Sequence, residues 1–147
     1  MALIVVTAIY LVSVLVHDWV PMFPLNDLVR QSEHPIRIRA LVELGNVLPI
    51  GVILVLAVIF PEGRLPLGAS IYIGAYLVIF AALAWLSWYQ PYFFGTSPAR
   101  ESASAREYGR TVQVLPSRGG RVRPNLVHLV LHVMFLAVAI VALTRIF

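Results

Sequence analysis

The stretch LVHLVLHVMFLAVAIVAL, residues 126–143, decides how this chain folds. It contains no Asp, Glu, Lys or Arg. Wound as an α-helix at 1.5 Å per residue it reaches about 27 Å, close to the ~30 Å hydrocarbon thickness of a bilayer. Its only polar side chains are His128 and His132, four apart and therefore on one helix face, with Asn125 one turn earlier on nearly the same stripe.

Three further apolar runs lie upstream. The first covers about residues 2–20 and is stopped by Pro21 and Pro24, which have no backbone N–H to donate. It lacks a basic start and a small-residue cleavage site, so it reads as a retained helix and not as a signal peptide. The second covers about 37–60, follows Pro35 and holds Pro49 inside it, where a kink is expected. The turn Pro61-Glu62-Gly63-Arg64-Leu65-Pro66 separates it from the third run, about 67–89. The fourth covers about 125–144. The fold expected is all-α: a polytopic, antiparallel bundle of four transmembrane helices forming a single membrane domain over residues 1–147.

Composition demands such an environment. Of 147 residues, 60% are hydrophobic and 12% charged, about half the charged fraction that wets an ordinary soluble domain. A chain this short cannot bury so much apolar surface within itself. The absence of cysteine excludes disulfides, thiolate metal sites and a thiol nucleophile. The net charge of +4 comes entirely from arginine. Basic residues beside membrane helices set orientation and meet anionic lipid headgroups, so no nucleic-acid partner is expected.

Between the third and fourth runs, residues 95–124 form a polar loop. Ser97 followed by Pro98 supplies a cap and a first turn, and Gly109 an end, so a short surface helix is expected over about 98–108. Four crossings place Arg30, Arg37, Arg39, Arg100, Arg106, Arg110, Arg118, Arg121 and Arg123 on one side of the membrane, and only Arg64 and Arg145 on the other. Basic loops stay in the cytoplasm, so both termini are expected outside a cell membrane that the chain crosses as a multi-pass protein.

The chemistry gathers on the same side. All four histidines (His17, His34, His128, His132) and every acid except Glu62 belong to it, namely Asp18, Asp27, Glu33, Glu43, Glu101 and Glu107. Glu43, His128 and His132 dip below the interface, where an ionisable group costs up to about 3 kcal/mol and therefore faces the bundle interior. His128, His132 and Glu43 are the candidate catalytic residues. His17, Asp18, His128 and His132 are a candidate ligand set for Zn²⁺ or non-haem Fe, with axial haem ligation a further option. The competing reading is a polar network in which the histidines bond Glu43, Asn46, Asn125 or water. Arg39, four residues before Glu43, suits an intrahelical ion pair, and Asn46 extends the Glu43 stripe inward. Arg118, Arg121 and Arg123, around Gly119-Gly120, suit a phosphate or a lipid headgroup. The aromatic cluster Trp85, Trp88, Tyr89, Tyr92, Phe93 and Phe94 reads first as an interfacial belt.

Three functions are compatible with this pattern. The first is a membrane-embedded enzyme with a His/Glu site at the cytoplasmic interface, acting on a lipid or other apolar substrate under a loop that serves as lid. The second is a non-catalytic subunit or assembly factor in a homo- or hetero-oligomer. The third is an oligomeric transporter or channel, which the almost wholly apolar residues 50–60 and 133–143 oppose.

Overall fold

A computed structural model describes residues 1–28 and 35–147. Arg30, Glu33 and His34, assigned above to the arginine-rich side, lie outside the described residues. Among the described residues six α-helices follow in order: α1 (Ala2–Trp19), α2 (Ile36–Ile59), α3 (Leu67–Ala84), α4 (Gln90–Phe94), α5 (Pro98–Tyr108) and α6 (Leu126–Ile146). No strand occurs among the described residues. A single antiparallel bridge joins Gln113 to Asn125. Among the described residues four helical stretches are long and apolar enough to cross a membrane: Ala2–Trp19, Ile36–Ile59, Leu67–Phe94 and Leu126–Ile146.

The third of these runs further than the sequence suggests, because α3 passes into α4 through a π-helical turn, Trp85–Tyr89. Pro91 explains it. Having no N–H, Pro91 cannot bond the carbonyls four or five residues back, Ser87 and Leu86. The π turn, with Gln90 N–H reaching Trp85 O, carries the helix past this gap. Arg100 of α5 then donates through Nη2 to Ser87 O (3.0 Å) and Leu86 O (3.3 Å). One guanidinium thus satisfies both stranded carbonyls and holds α5 against the end of α3.

α1 is the hub. Its buried side chains Leu3, Thr7, Tyr10, Val14 and His17 recur at the spacing of one helix face, and α1 packs chiefly on α2 and α6. α3 touches α6 and α2 more lightly. The core joins Leu3, Tyr10 and Val14 to Ile50, Ile53, Ala57, Ile73, Leu77, Leu131, Val138 and Ala142. Most of the apolar surface nonetheless points outward: between 17% and 28% of the most apolar window of each long helix is buried inside the chain.

The end of the molecule opposite the histidines is tied shut by Arg145. From the last turn of α6 it donates to the carbonyls of Phe60, Pro61 and Gly63, while Leu65 N–H bonds Arg145 O. Cations suit a helix C-terminus, and here one also closes the turn between α2 and α3.

Candidate functional site

Asn125 organises the histidine end. Its Oδ1 accepts the His128 backbone N–H (3.0 Å), capping α6, and its Nδ2 donates to Leu25 O (3.3 Å). Both bonds are to backbone groups of fixed polarity, so the orientation of the amide is determined. His128 Nδ1 lies 2.7 Å from the same Oδ1. An amide oxygen only accepts, so Nδ1 carries the proton and Nε2 keeps its lone pair. The His128 tautomer is therefore set by a helix cap.

The Asn125 side chain is buried because loop segments close over it. Val112 N–H bonds Pro24 O and Leu126 N–H bonds Val112 O, each at 2.9 Å. Asn26 caps the other end of this knot, donating from Nδ2 to His17 O (2.6 Å) and Val20 O (2.9 Å) at the end of α1.

Around His128 stand three rings. Trp88 lies 4.2 Å away between centroids, Tyr108 5.4 Å and His17 5.7 Å, the last two edge-on. His17 Nδ1 donates to Val14 O (2.6 Å), and its Nε2 is 3.1 Å from Asp18 Oδ1. Tyr108 closes α5 over the site. Burial first, then the Glu107 carboxylate beside it and Asp18 beyond, holds its phenol above the ordinary value, so it stays a hydrogen-bond donor.

These groups line two adjoining chambers. The larger, about 510 Å³, reaches from Tyr10, Ile50, Phe80 and Leu131 at its apolar floor to His17, Asn46, Trp88, Arg100, Glu107, Tyr108, His128 and His132 above. The smaller, about 360 Å³, lies toward the ends of α1 and α2 and adds Asp18, Trp19, Ile38 and Arg39. His17, Val42, Asn46, Glu107, Tyr108 and His128 line both. The pair of imidazoles therefore stands on the wall that the two chambers share.

The residues singled out from sequence divide into two groups. His17, Asp18, Asn46, His128 and His132 come together around the chambers. Within this set His132 faces elsewhere for its bond, with Nδ1 2.9 Å from Tyr89 Oη. Glu43 is buried on α2 but lines neither chamber. Both its oxygens lack a hydrogen-bond partner among the described residues, and Asp18 is its electrostatic neighbour. Arg39 does not pair with it: Nη2 donates to Asp18 O (2.7 Å) and the guanidinium covers the Trp19 ring at 4.9 Å.

The expected phosphate grip is not assembled either. Arg121 donates to Phe93 O, Arg123 to Leu115 O (3.3 Å), and Arg118 lies over the Tyr92 and Phe93 rings at 5.2 and 5.5 Å. Arg118 and Arg121 fasten the loop to α4, and Arg123 ties the loop to itself. As for a metal, no group of three or more His, Asp or Glu side chains among the described residues is arranged to hold one, so the donor set His17, Asp18, His128 and His132 does not fit the ion proposed for it.

Sequence reasoning missed Glu107, Tyr108 and Trp88. The signal was present, since Arg100, Ser104, Glu107 and Tyr108 share one face of the helix that Ser97 and Pro98 announce. Nothing local, however, says which way that face turns. The aromatic cluster also divides: Trp88 enters the site, Tyr89 bonds His132, and Trp85 and Phe94 stay exposed. No protein-family model matches this chain, and no curated protein or solved structure does.

Proposed function

We propose that this chain is an integral membrane enzyme whose two chambers bring the polar end of a bilayer-resident amphiphile to an acid–base pair, His128 and His17. The four long helices cross the bilayer as an antiparallel bundle. Both termini lie outside, and α5 with the arginine-rich loop lies at the cytoplasmic face, in keeping with the basic bias of that side. The outward apolar surface of every long helix supports insertion, because water would penalise it at roughly 25 cal/mol per Å².

One observation carries the catalytic reading: His128, with its proton fixed on Nδ1 and a lone pair on Nε2, stands on the wall shared by the two chambers. A general base needs a free lone pair held in place, next to a site that orients the substrate. Tyr108 supplies a donor above it, His17 with Asp18 a second proton-handling group beside it, and Asn46 a further polar contact. Glu43, outside the chambers, lies beside Asp18 and does not touch substrate.

The test is turnover in reconstituted membranes. Purified protein in vesicles of total lipid extract, supplied with a soluble metabolite extract, should deplete one lipid class, read by mass spectrometry. His128→Ala should abolish the depletion while leaving the melting temperature within a few degrees. Equal depletion by wild type and His128→Ala would sink the catalytic reading.

A non-catalytic subunit is the second reading, favoured by the large apolar surface that the long helices leave uncovered. It expects His128→Ala to change co-purification with partners and no lipid class. A transporter would need a polar path through the other half of the bundle, where the buried side chains Leu3, Ile53, Ala57, Ile73, Val138 and Ala142 are apolar and Thr7 adds one buried hydroxyl.

A further inference from the structure

The larger chamber has a side door. Two of its lining residues, Val42 on α2 and Leu83 on α3, are also 58% and 56% exposed. A residue that both lines a cavity and faces outward marks an opening, and here the two flank the gap between α2 and α3. Those helices are joined by the short turn at residues 61–66, which Arg145 clamps, and they touch little along their length. They meet at the closed end and leave room at the histidine end. The walls that α1 forms with α2 and α6 give no such gap, since α1 packs broadly on both. At the histidine end of the α3–α6 wall, the rings of Trp88 on His128 and Tyr89 on His132 fill the space.

The opening is apolar on both sides and leads to the apolar floor of Tyr10, Ile50, Phe80 and Leu131. Above that floor stand two acceptors, the Glu107 carboxylate and His128 Nε2, beside the Tyr108 and Ser104 hydroxyls and the Asn46 amide, which can donate as well as accept. The two guanidiniums nearest the chambers are engaged on carbonyls, Arg39 on Asp18 O and Arg100 on Ser87 O and Leu86 O. A phosphate would find no unengaged guanidinium there, whereas a hydroxyl or amine would find acceptors.

We propose that the larger chamber is loaded sideways from the membrane through the α2–α3 gap, and that it takes one hydrocarbon chain ending in a hydrogen-bond-donating head such as an alcohol or amine. The chain lies against Phe80 and Leu131, and the head reaches His128 and Glu107. This rests on the reading of the chambers as a substrate site, but it fixes a route and a head-group class that the acid–base reading leaves open.

Photolabelling in lipid nanodiscs tests it. The probes are a long-chain alcohol with a diazirine in its chain and the same chain ending in phosphate. Adducts are mapped by peptide mass spectrometry. The alcohol should label the inward residues Phe80 and Leu131, and the phosphate should label them at least tenfold less. The native chain has no cysteine, so Val42→Cys and Leu83→Cys can be bridged with a bifunctional maleimide. Bridging should suppress inner labelling at least fivefold below that of the same double variant with each cysteine capped separately.

Inner labelling that survives the bridge would overturn the side door while leaving the chamber as a site. Equal inner labelling by the phosphate would overturn the head-group assignment. Adducts confined to outward residues such as Val133 and Leu136 with both probes would overturn the proposal together with the substrate site beneath it.

Discussion

The two ends of this bundle use arginine in the same way and reach opposite results. At one end, Arg145 gathers the carbonyls of Phe60, Pro61 and Gly63, and the helices close on a core of Leu3, Ile53, Ala57, Ile73, Val138 and Ala142. At the other, Arg100 takes the carbonyls that Pro91 strands, and the result is a roof, α5, over a cavity lined by histidines. The difference lies in what the helices carry beneath the clamp. Small and β-branched residues allow the first end to close, whereas His17, Trp88, Tyr108 and His128 meet ring against ring and hold the second end open.

The contrast can be broken most severely at Asn125. Asn125→Ala removes the cap of α6, the bond to Leu25 O and the partner of His128 Nδ1 at once. We expect a loss of about 2–4 kcal/mol, combining a cap with a buried group left unsatisfied. Thermal unfolding in detergent would read it. A loss below about 1 kcal/mol would mean that the loop knot does not set the His128 tautomer.

Arg145→Leu attacks the closed end instead. It frees three carbonyls, two of them exposed and able to turn to water, so about 1–2 kcal/mol is expected from charge-assisted bonds of this kind. The informative part is what stays constant: labelling of Phe80 and Leu131 through the chamber should not change. If it falls, the two ends are coupled and the contrast is false.

The mildest change is Ser97→Ala, which deletes the weak cap at Arg100 N–H (3.4 Å). About 0.5–1 kcal/mol of local stability should be lost. Hydrogen exchange should quicken across Pro98–Tyr108 and nowhere in the long helices. Exchange unchanged in α5 would show that Arg100 and Tyr108 alone hold the roof.

Much of the scaffold was legible because lipid-length apolar runs and proline punctuation are local signals. Residues 126–143 announced α6, and Ser97-Pro98 announced α5 to within a residue. The π turn was not legible, because it answers a missing N–H at Pro91 with a side chain from nine residues further on. Clustering of titratable residues at one end drew attention to His17, His128 and Asn46, which line both chambers. It misjudged Glu43 and Arg39, since a four-residue spacing on one helix permits an ion pair without requiring it, and the Asp18 carbonyl and Trp19 ring competed for the guanidinium. The arginines at 118, 121 and 123 misled for the same reason. Backbone carbonyls and aromatic faces are invisible as partners in a string of residue names. Glu107 and Tyr108 escaped because only tertiary docking turns their side of α5 toward His128.

The account stands on one half of the bundle being wet and the other dry, and single cysteines in this cysteine-free chain measure that directly. In sealed vesicles, a membrane-impermeant maleimide should react with Asn46→Cys from the face that carries α5. It should leave Ala57→Cys and Val138→Cys untouched from either face. Labelling of Ala57→Cys or Val138→Cys as fast as Asn46→Cys, or no labelling of Asn46→Cys from the α5 face, would contradict it.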